Sequence, residues 1–299
     1  MEQQTLLLID GFNLLSRGYF ATAYNRTEEQ LTKTSDGLYT NALRVFFQKM
    51  FNLVEVHQVS HLAIAWDVKR EETSRRVKYD FYKASRNELP TPLIQQYETL
   101  TKSLADIGVA QLVAPPYEAD DVIGTLASRW TNDTDGHCLI YSNDKDLLQL
   151  LNSQTSQVIA QKKMETVYTI DHFQEEYGIH SSQWVDVKAL LGDASDNIPG
   201  CPGVGAKSAL PLIQQYKSVE NLYEQLDGLD PKFNRYKKKL MGGEEMVTIS
   251  KELATIETNI PLFSSFDFNE LKLAIDDTSL TEAIKQLELR VNYKGNRVG

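Results

Sequence analysis

Three short apolar runs in the first half of the chain each lead into a carboxylate, and this repeat constrains the fold more than any other feature. Leu7-Leu8-Ile9-Asp10-Gly11, Ala63-Ile64-Ala65-Trp66-Asp67 and Leu139-Ile140-Tyr141-Ser142-Asn143-Asp144 have the continuous apolar character of strands covered on both faces. Expected strands are therefore Thr5 to Ile9, His61 to Trp66, Val109 to Ala114 and Cys138 to Tyr141. Between them, Ala42 to Val56 and Glu118 to Trp130 carry helical apolar spacing, with Ala119, Ile123, Leu126, Ala127 and Trp130 on one face. Strands alternating with helices predict an α/β fold whose mainly parallel central sheet is flanked by helices. Ligands of such sheets collect outside the carboxyl ends of the strands, where these acids would lie.

Two regions break the alternation. Residues 68 to 92 are too long for an ordinary strand-to-helix connection and read as a functional excursion. After about residue 180 helices dominate: Gln183 to Leu191, Ala206 to Tyr216, Val219 to Leu226, Lys232 to Leu240 and Glu244 to Ile256. The expected division is an α/β core over 1–180 and a helical lobe over 181–299, without repeats or a flexible linker. Pro211 lies inside one expected helix and should bend or break it.

The acids at expected element ends are Asp10, Asp67, Glu118, Asp120, Asp121, Asp144, Asp146, Asp193 and Asp196. Any one alone reads more often as a helix cap or turn former than as a ligand, and acids at the start of a helix also suit its dipole. Several carboxylates at one sheet edge repel one another and cannot all stay ionised unaided. Hard divalent cations such as Mg2+ or Mn2+, which favour oxygen ligands and act together with substrate phosphate, resolve that conflict. Two such ions suit phosphodiester hydrolysis, one activating water and the other neutralising the leaving oxygen.

Gly192 to Lys207 contains Gly-x-Pro-Gly-x-Gly ahead of a helix and reads as a helix-hairpin-helix spanning about 184–216. Its small residues and helix-start amides, over Gly200, Gly203, Val204, Gly205, Lys207 and Ser208, could approach phosphate without reading sequence. The competing reading is an ordinary interhelical turn. A P-loop is excluded, because Ala206 stands where the glycine before Lys207 belongs and no buried strand leads in. The excursion is basic through Lys69, Arg70, Arg75, Arg76, Lys78, Lys83 and Arg86, with Tyr79, Phe81 and Tyr82 interleaved, a pattern suited to tracking a single strand. Lys232, Arg235, Lys237, Lys238 and Lys239 form a second cluster, and either cluster could be a solvated face.

A net charge of −10 argues at face value against a nucleic-acid binder. Setting aside the nine carboxylates leaves 32 acidic against 31 basic residues, so local basic patches decide the matter. Cys138 and Cys201 have neither metal-like nor disulfide-framework spacing and read as free thiols in a reducing cytoplasm. The start of the chain lacks the features of a signal peptide, and no run approaches a membrane span.

Taken in order, Leu8-Ile9-Asp10-Gly11 with Arg17-Gly18-Tyr19-Phe20-Ala21, Trp66-Asp67, Tyr82-Lys83-Ala84-Ser85-Arg86, Glu118-Ala119-Asp120-Asp121, Ser142-Asn143-Asp144-Lys145-Asp146 and Gly192 to Gly205 span nearly the whole chain. In these strings the sequence resembles the 5′-nuclease or flap endonuclease family, which includes the amino-terminal domain of bacterial DNA polymerase I. The resemblance implies that Asp10, Asp67, Glu118, Asp120 and Asp121 build a first metal site and Asp144, Asp146, Asp193 and Asp196 a second. It implies that 68–92 form a helical arch with Lys83 and Arg86 facing the scissile phosphate, so that Lys83, Arg86 and Asp67 are the catalytic candidates. Arg17, Arg75, Arg76, Lys78, Tyr82, Arg235, Lys237 and Lys238 join the hairpin as DNA-binding candidates.

The resemblance further implies DNA with 5′ flaps or 5′ ends as the partner, products with 5′-phosphate and 3′-hydroxyl, and a potassium ion on the carbonyls of the hairpin. A role in primer removal and repair in the bacterial cytoplasm follows, and no oligomer is implied. Asn143 departs from the frequent glycine of the family's Ser-Gly-Asp pattern. Two other classes compete: a catalytically silent DNA-structure-binding protein, and a smaller acidic ribonuclease on a related α/β fold. Incubating a labelled flap with Mg2+ separates the first, and comparing RNA with DNA separates the second.

Overall fold

The structure, a computed structural model, describes residues 4–161 and 164–298. Strands β1 (Thr5–Asp10), β2 (His61–Ala65), β3 (Ala110–Leu112), β4 (His137–Tyr141), β5 (Thr155–Gln161) and β6 (Met164–Tyr168) form one sheet in the order β3-β2-β1-β4-β5-β6. The first five pair in parallel and β6 returns antiparallel to β5. Residues 6–10 of β1 and the whole of β2 are buried, because helices cover both faces. Helices α1 (Gly11–Ala23), α2 (Asn41–Val56), α4 (Thr91–Asp106) and α5 (Ala119–Asp133) flank the sheet, and the short α3 (Ser74–Lys78) lies in the segment between β2 and α4. One apolar core lies under α1, α2 and α4, around Phe46, Phe47 and Trp66. The other lies under α5, around Ile123, Leu126 and Trp130.

Beyond the sheet the chain is mainly helical: α6 (Ile170–Tyr177), α7 (Trp184–Leu191), α8 (Ala206–Tyr216), α9 (Val219–Glu224), α10 (Asn234–Ala254) and α11 (Asp277–Gln286). A third core, including Phe173, Trp184 and Leu212, holds much of this region together. The two helices expected over 232–240 and 244–256 are one continuous α10. It packs closely on the hairpin at Gly243, where a Cβ would lie 2.9 Å from Cys201 Sγ. Helix α8 also runs through Pro211 without ending. Strands β7 (Val291–Tyr293) and β8 (Asn296–Val298) form a small hairpin whose Val291 and Tyr293 bury against α2, and neither this pair nor β5 and β6 was expected. No helix of the described residues is long and apolar enough to cross a membrane.

Candidate active site

The sheet order places β2, β1 and β4 side by side, so their carboxyl ends deliver Asp10, Asp67 and Asp144 to one edge. Asp10 closes β1 and caps α1, accepting from the Asn13 N–H at 3.0 Å and from Ser142 Oγ at 3.0 Å. Asp67 Oδ1 accepts from the Ala119 N–H at 2.9 Å, which ties the end of β2 to the start of α5 and brings Asp120 into the group. Burial, then Asp67, pushes the Asp10 carboxyl up to about 7, with Asp144 adding to the shift. Asp120 is raised well above the usual carboxylate range by burial and by Asp144, Asp10 and Asp67. Asp67 is raised by burial although Lys83 and the Ala119 amide oppose it. Asp67 is nonetheless exposed and Asp120 half-exposed, so these acids stand on the floor of a cleft that water enters.

No ion pair among the described residues reaches Asp10, Asp67, Asp120 or Asp144. Mutual repulsion in an oxygen-only donor set fits a hard cation. As they stand, no three such side chains among the described residues close on one point as a finished cage. Mg2+ keeps several of its waters, so carboxylates spread across a cleft can share it.

Glu118 and Asp121 differ from these four. Glu118 accepts from Lys83 Nζ at 2.8 Å, Tyr82 Oη at 3.0 Å and Arg75 at 3.2 Å. Asp121, 1 % exposed, takes both arms of the Arg75 fork at 2.6 and 2.7 Å and the N–H groups of Glu118 and Glu257 at 3.0 and 2.8 Å. Those four donors fill its oxygens, so Asp121 positions the site and leaves no lone pair for a metal. Arg75 likewise is engaged by Asp121, Glu118 and the Thr255 carbonyl, which removes it from the residues free to meet DNA. Tyr82 is 3 % exposed with its hydroxyl on Glu118, so it props the site from inside and cannot stack on a strand.

The excursion 68–92 is helical over Arg70–Glu72 and Ser74–Lys78 and otherwise a chain of turns. It bends over the cleft onto the helical lobe. The Lys83 N–H donates to the Asp196 carbonyl at 2.9 Å, Arg86 pairs with Asp196 Oδ1 at 2.5 Å, and Ser85 donates to Asn197. Lys83 Nζ points inward, 2.8 Å from Glu118 and 4.0 Å from Asp196. Burial works against its charge, but Tyr82, Glu118 and Asp196 overcome it and hold the ammonium protonated above the usual lysine range. Arg76 donates to the Tyr82 carbonyl, and Lys78 pairs with Glu252 on the surface.

The remaining acids meet an unexpected cation. Lys188 Nζ lies 2.8 Å from Asp146 Oδ1 and 2.8 Å from Asp193 Oδ2. Nothing in its sequence setting, Val187-Lys188-Ala189 inside an apolar helix, singled it out. Burial and Asp144 push Asp146 up to about 6 in spite of Lys188, whereas Asp193, despite burial, is drawn down to about 2 by Lys188 and Ser195.

In the hairpin the loop 192–205 closes because Gly192 and Gly200 touch: a Cβ on Gly200 would lie 2.5 Å from the Gly192 nitrogen. Gly200 donates its N–H to Ser250 Oγ on α10 and is buried. Val204 is buried in the lobe's core and Ser208 bonds back to the Gly205 carbonyl, so both support the loop and neither faces a ligand. Gly203, Gly205, Ala206 and Lys207 form the exposed face. Lys239 Nζ donates to the Gly203 carbonyl at 3.0 Å. Nearby, Arg235 and Lys238 are exposed and Lys237 donates to the Asp227 carbonyl. Arg17 on α1 reaches the segment after β4 beside Asp144, donating to Asn143 Oδ1 at 2.8 Å. The Asn143 amide also exchanges bonds with both backbone groups of Ala160, so the departure from glycine fastens Arg17 to β5.

Residues 5–178 match the family model described as 5′-3′ exonuclease, N-terminal resolvase-like domain, and residues 179–279 match 5′-3′ exonuclease, C-terminal SAM fold. A 5′-3′ exonuclease of Halalkalibacterium halodurans is 60% identical over 97% of this chain and 96% of its own. DNA polymerase I of Bacillus subtilis is 36% identical over 87% of this chain, which spans 29% of the polymerase. Among solved structures, the flap endonuclease of bacteriophage T5 in complex with DNA and metal ions superposes with a TM-score of 0.66 at 20% identity, covering 95% of this chain and 100% of that one.

Proposed function

The chain belongs to the 5′-3′ exonuclease family, and from that premise we propose that it hydrolyses phosphodiesters of DNA at free or flapped 5′ ends. It is a metal-dependent nuclease that acts on DNA. The observation that carries the reading is the convergence of Asp10, Asp67, Asp120 and Asp144 at the carboxyl edge of the sheet, under a basic segment that turns Lys83 inward.

Asp10, Asp67, Glu118 and Asp120 would hold a first divalent cation, Mg2+ or Mn2+, and Asp144, Asp146, Asp193 and Asp196 a second. When bound, these ions supply an activated water and charge neutralisation for an in-line displacement at phosphorus. The protein's own groups do the rest. Lys83 and Arg86 stand above the acids and donate to the phosphate as charge grows on it, an interaction that matters more in the transition state than before it. Arg75 and Asp121 lock the base of the arch to α5, so that Glu118 and Lys83 keep their places.

The exposed hairpin face with Lys207, together with Arg235 and Lys238, would hold duplex phosphates, and Arg17, Arg76 and Lys78 would add contacts near the cleft. We extend the proposal to a potassium ion on the hairpin carbonyls, among which that of Gly203 is held by Lys239. The division into a core over 1–180 and a lobe over 181–299, products with 5′-phosphate and 3′-hydroxyl, and a cytoplasmic role in primer removal and repair complete the proposal. Product mapping on an end-labelled 5′ flap, with Mg2+ and with EDTA, tests it. Cleavage that persists in EDTA, or starts from 3′ ends, overturns it.

A further inference from the structure

Lys188 is the one buried lysine or arginine among the described residues, 9 % exposed on α7. A buried ammonium needs partners, and it finds them in Asp146 and Asp193, each at 2.8 Å. The two acids come from different parts of the fold, Asp146 from the turn after β4 and Asp193 from the hairpin loop after α7. Asp193 is well served, its other oxygen accepting from the Ser195 N–H and hydroxyl at 2.8 and 2.6 Å. Asp146 is not. Its Oδ1 is buried, within ion-pair distance of Lys188 yet without an aligned hydrogen-bond donor. One ammonium therefore stretches between two carboxylates and satisfies one of them fully. By contrast, no protein cation pairs with Asp10, Asp67, Asp120 or Asp144 among the described residues.

We infer that Lys188 is a resident counter-ion of the second carboxylate group. Its ammonium stands between Asp146 and Asp193 where a divalent cation would draw on the same oxygens, clamps the sheet edge to the hairpin, and is displaced when the cation binds. The inference rests on the reading of Asp144, Asp146, Asp193 and Asp196 as cation ligands. Lys188 is on this account a positioning residue: it preassembles the second group without an ion and weakens the affinity of that group for one. A positive charge within a few ångströms of an incoming cation, in a partly buried setting, should cost it about tenfold in affinity after screening.

Mn2+ titrated into metal-free protein without DNA, followed by calorimetry, tests this. In Lys188→Met the first ion should bind as in the wild type and the second about tenfold more tightly. A second ion that binds the variant no more tightly than the wild type overturns the inference. Asp146→Asn separates this failure from failure of the underlying reading. If Asp146→Asn loses the second ion while Lys188→Met gains nothing, the counter-ion role alone falls. If Asp146→Asn binds both ions unchanged, the ligand assignment falls and the inference with it. The wild type provides a readout that needs no variant to fold: an amine-acylating reagent followed by mass spectrometry should find Lys188 protected without Mn2+ and labelled with it. Continued protection at saturating Mn2+ refutes displacement.

Discussion

Asp10→Asn should abolish cleavage and yet stabilise the metal-free protein. Asp10 is 7 % exposed, and its carboxyl is pushed up from 3.8 to about 7 by burial and by Asp67 and Asp144. A folded-state pKa above the unfolded one means that the folded protein binds the proton more tightly. Stability from this group is therefore complete below about pH 4 and is lost as pH rises through about 7. At about pH 8 the full shift amounts to roughly 4 kcal/mol, and about 2–4 kcal/mol once the burden is shared with neighbouring acids. Asparagine removes that charge and remains a good N-cap for the Asn13 N–H, so helix α1 keeps its start. Its cost is the bond accepted from Ser142 Oγ, about 1 kcal/mol.

The net gain of about 1–3 kcal/mol should raise the unfolding midpoint by several degrees, at about 2–4 °C per kcal/mol. At about pH 5 the ionisation cost falls to about 1.5 kcal/mol, and the two proteins should unfold nearly together. Thermal unfolding in EDTA at both pH values reads this directly. An Asp10→Asn midpoint at or below wild type near pH 8 refutes the picture of mutually repelling, uncompensated acids.

Cleavage should be lost in EDTA and return with Mg2+ or Mn2+, and Asp67→Asn should keep its circular-dichroism spectrum while losing cleavage. Lys83→Ala should slow single-turnover cleavage at saturating flap by about a hundredfold, and a near wild-type rate removes Lys83 from the catalytic list. Gly205 has open space where a Cβ would point, so Gly205→Leu should unfold like wild type while its duplex Kd rises; an unchanged Kd by fluorescence anisotropy counts against the hairpin face. Arg75→Ala leaves Asp121 buried and unpaired, at about 3–5 kcal/mol, so its urea midpoint should fall well below that of Lys78→Ala, whose surface pair with Glu252 contributes little.

What the sequence made legible follows from which signals are local. The runs ending at Asp10, Asp67 and Asp144 are both strand and site, so finding one found the other, and the parallel sheet then brought all three acids to one edge. Strands β5 and β6 were missed for the opposite reason: β5 is buried over 155–159 but opens with polar Thr155, Ser156 and Gln157, and β6 is mostly exposed, so neither carries an apolar strand pattern. Roles inside the acidic set were less legible still. Asp120 and Asp121 are adjacent and chemically identical, yet the helical turn points one into the cleft and the other at Arg75, 46 positions away in the chain. The same long-range partnering converts Arg75 and Tyr82 from surface candidates into supports engaged by the protein's own acids and draws Lys188 out of an apolar helix into the carboxylates. Composition could count charges but not pair them. A basic residue next to an acidic cluster is ambiguous between a hand held out to DNA and a clamp on the protein's own acids, and only the fold, through burial and through how many oxygens are already taken, divides Lys207 from Arg75.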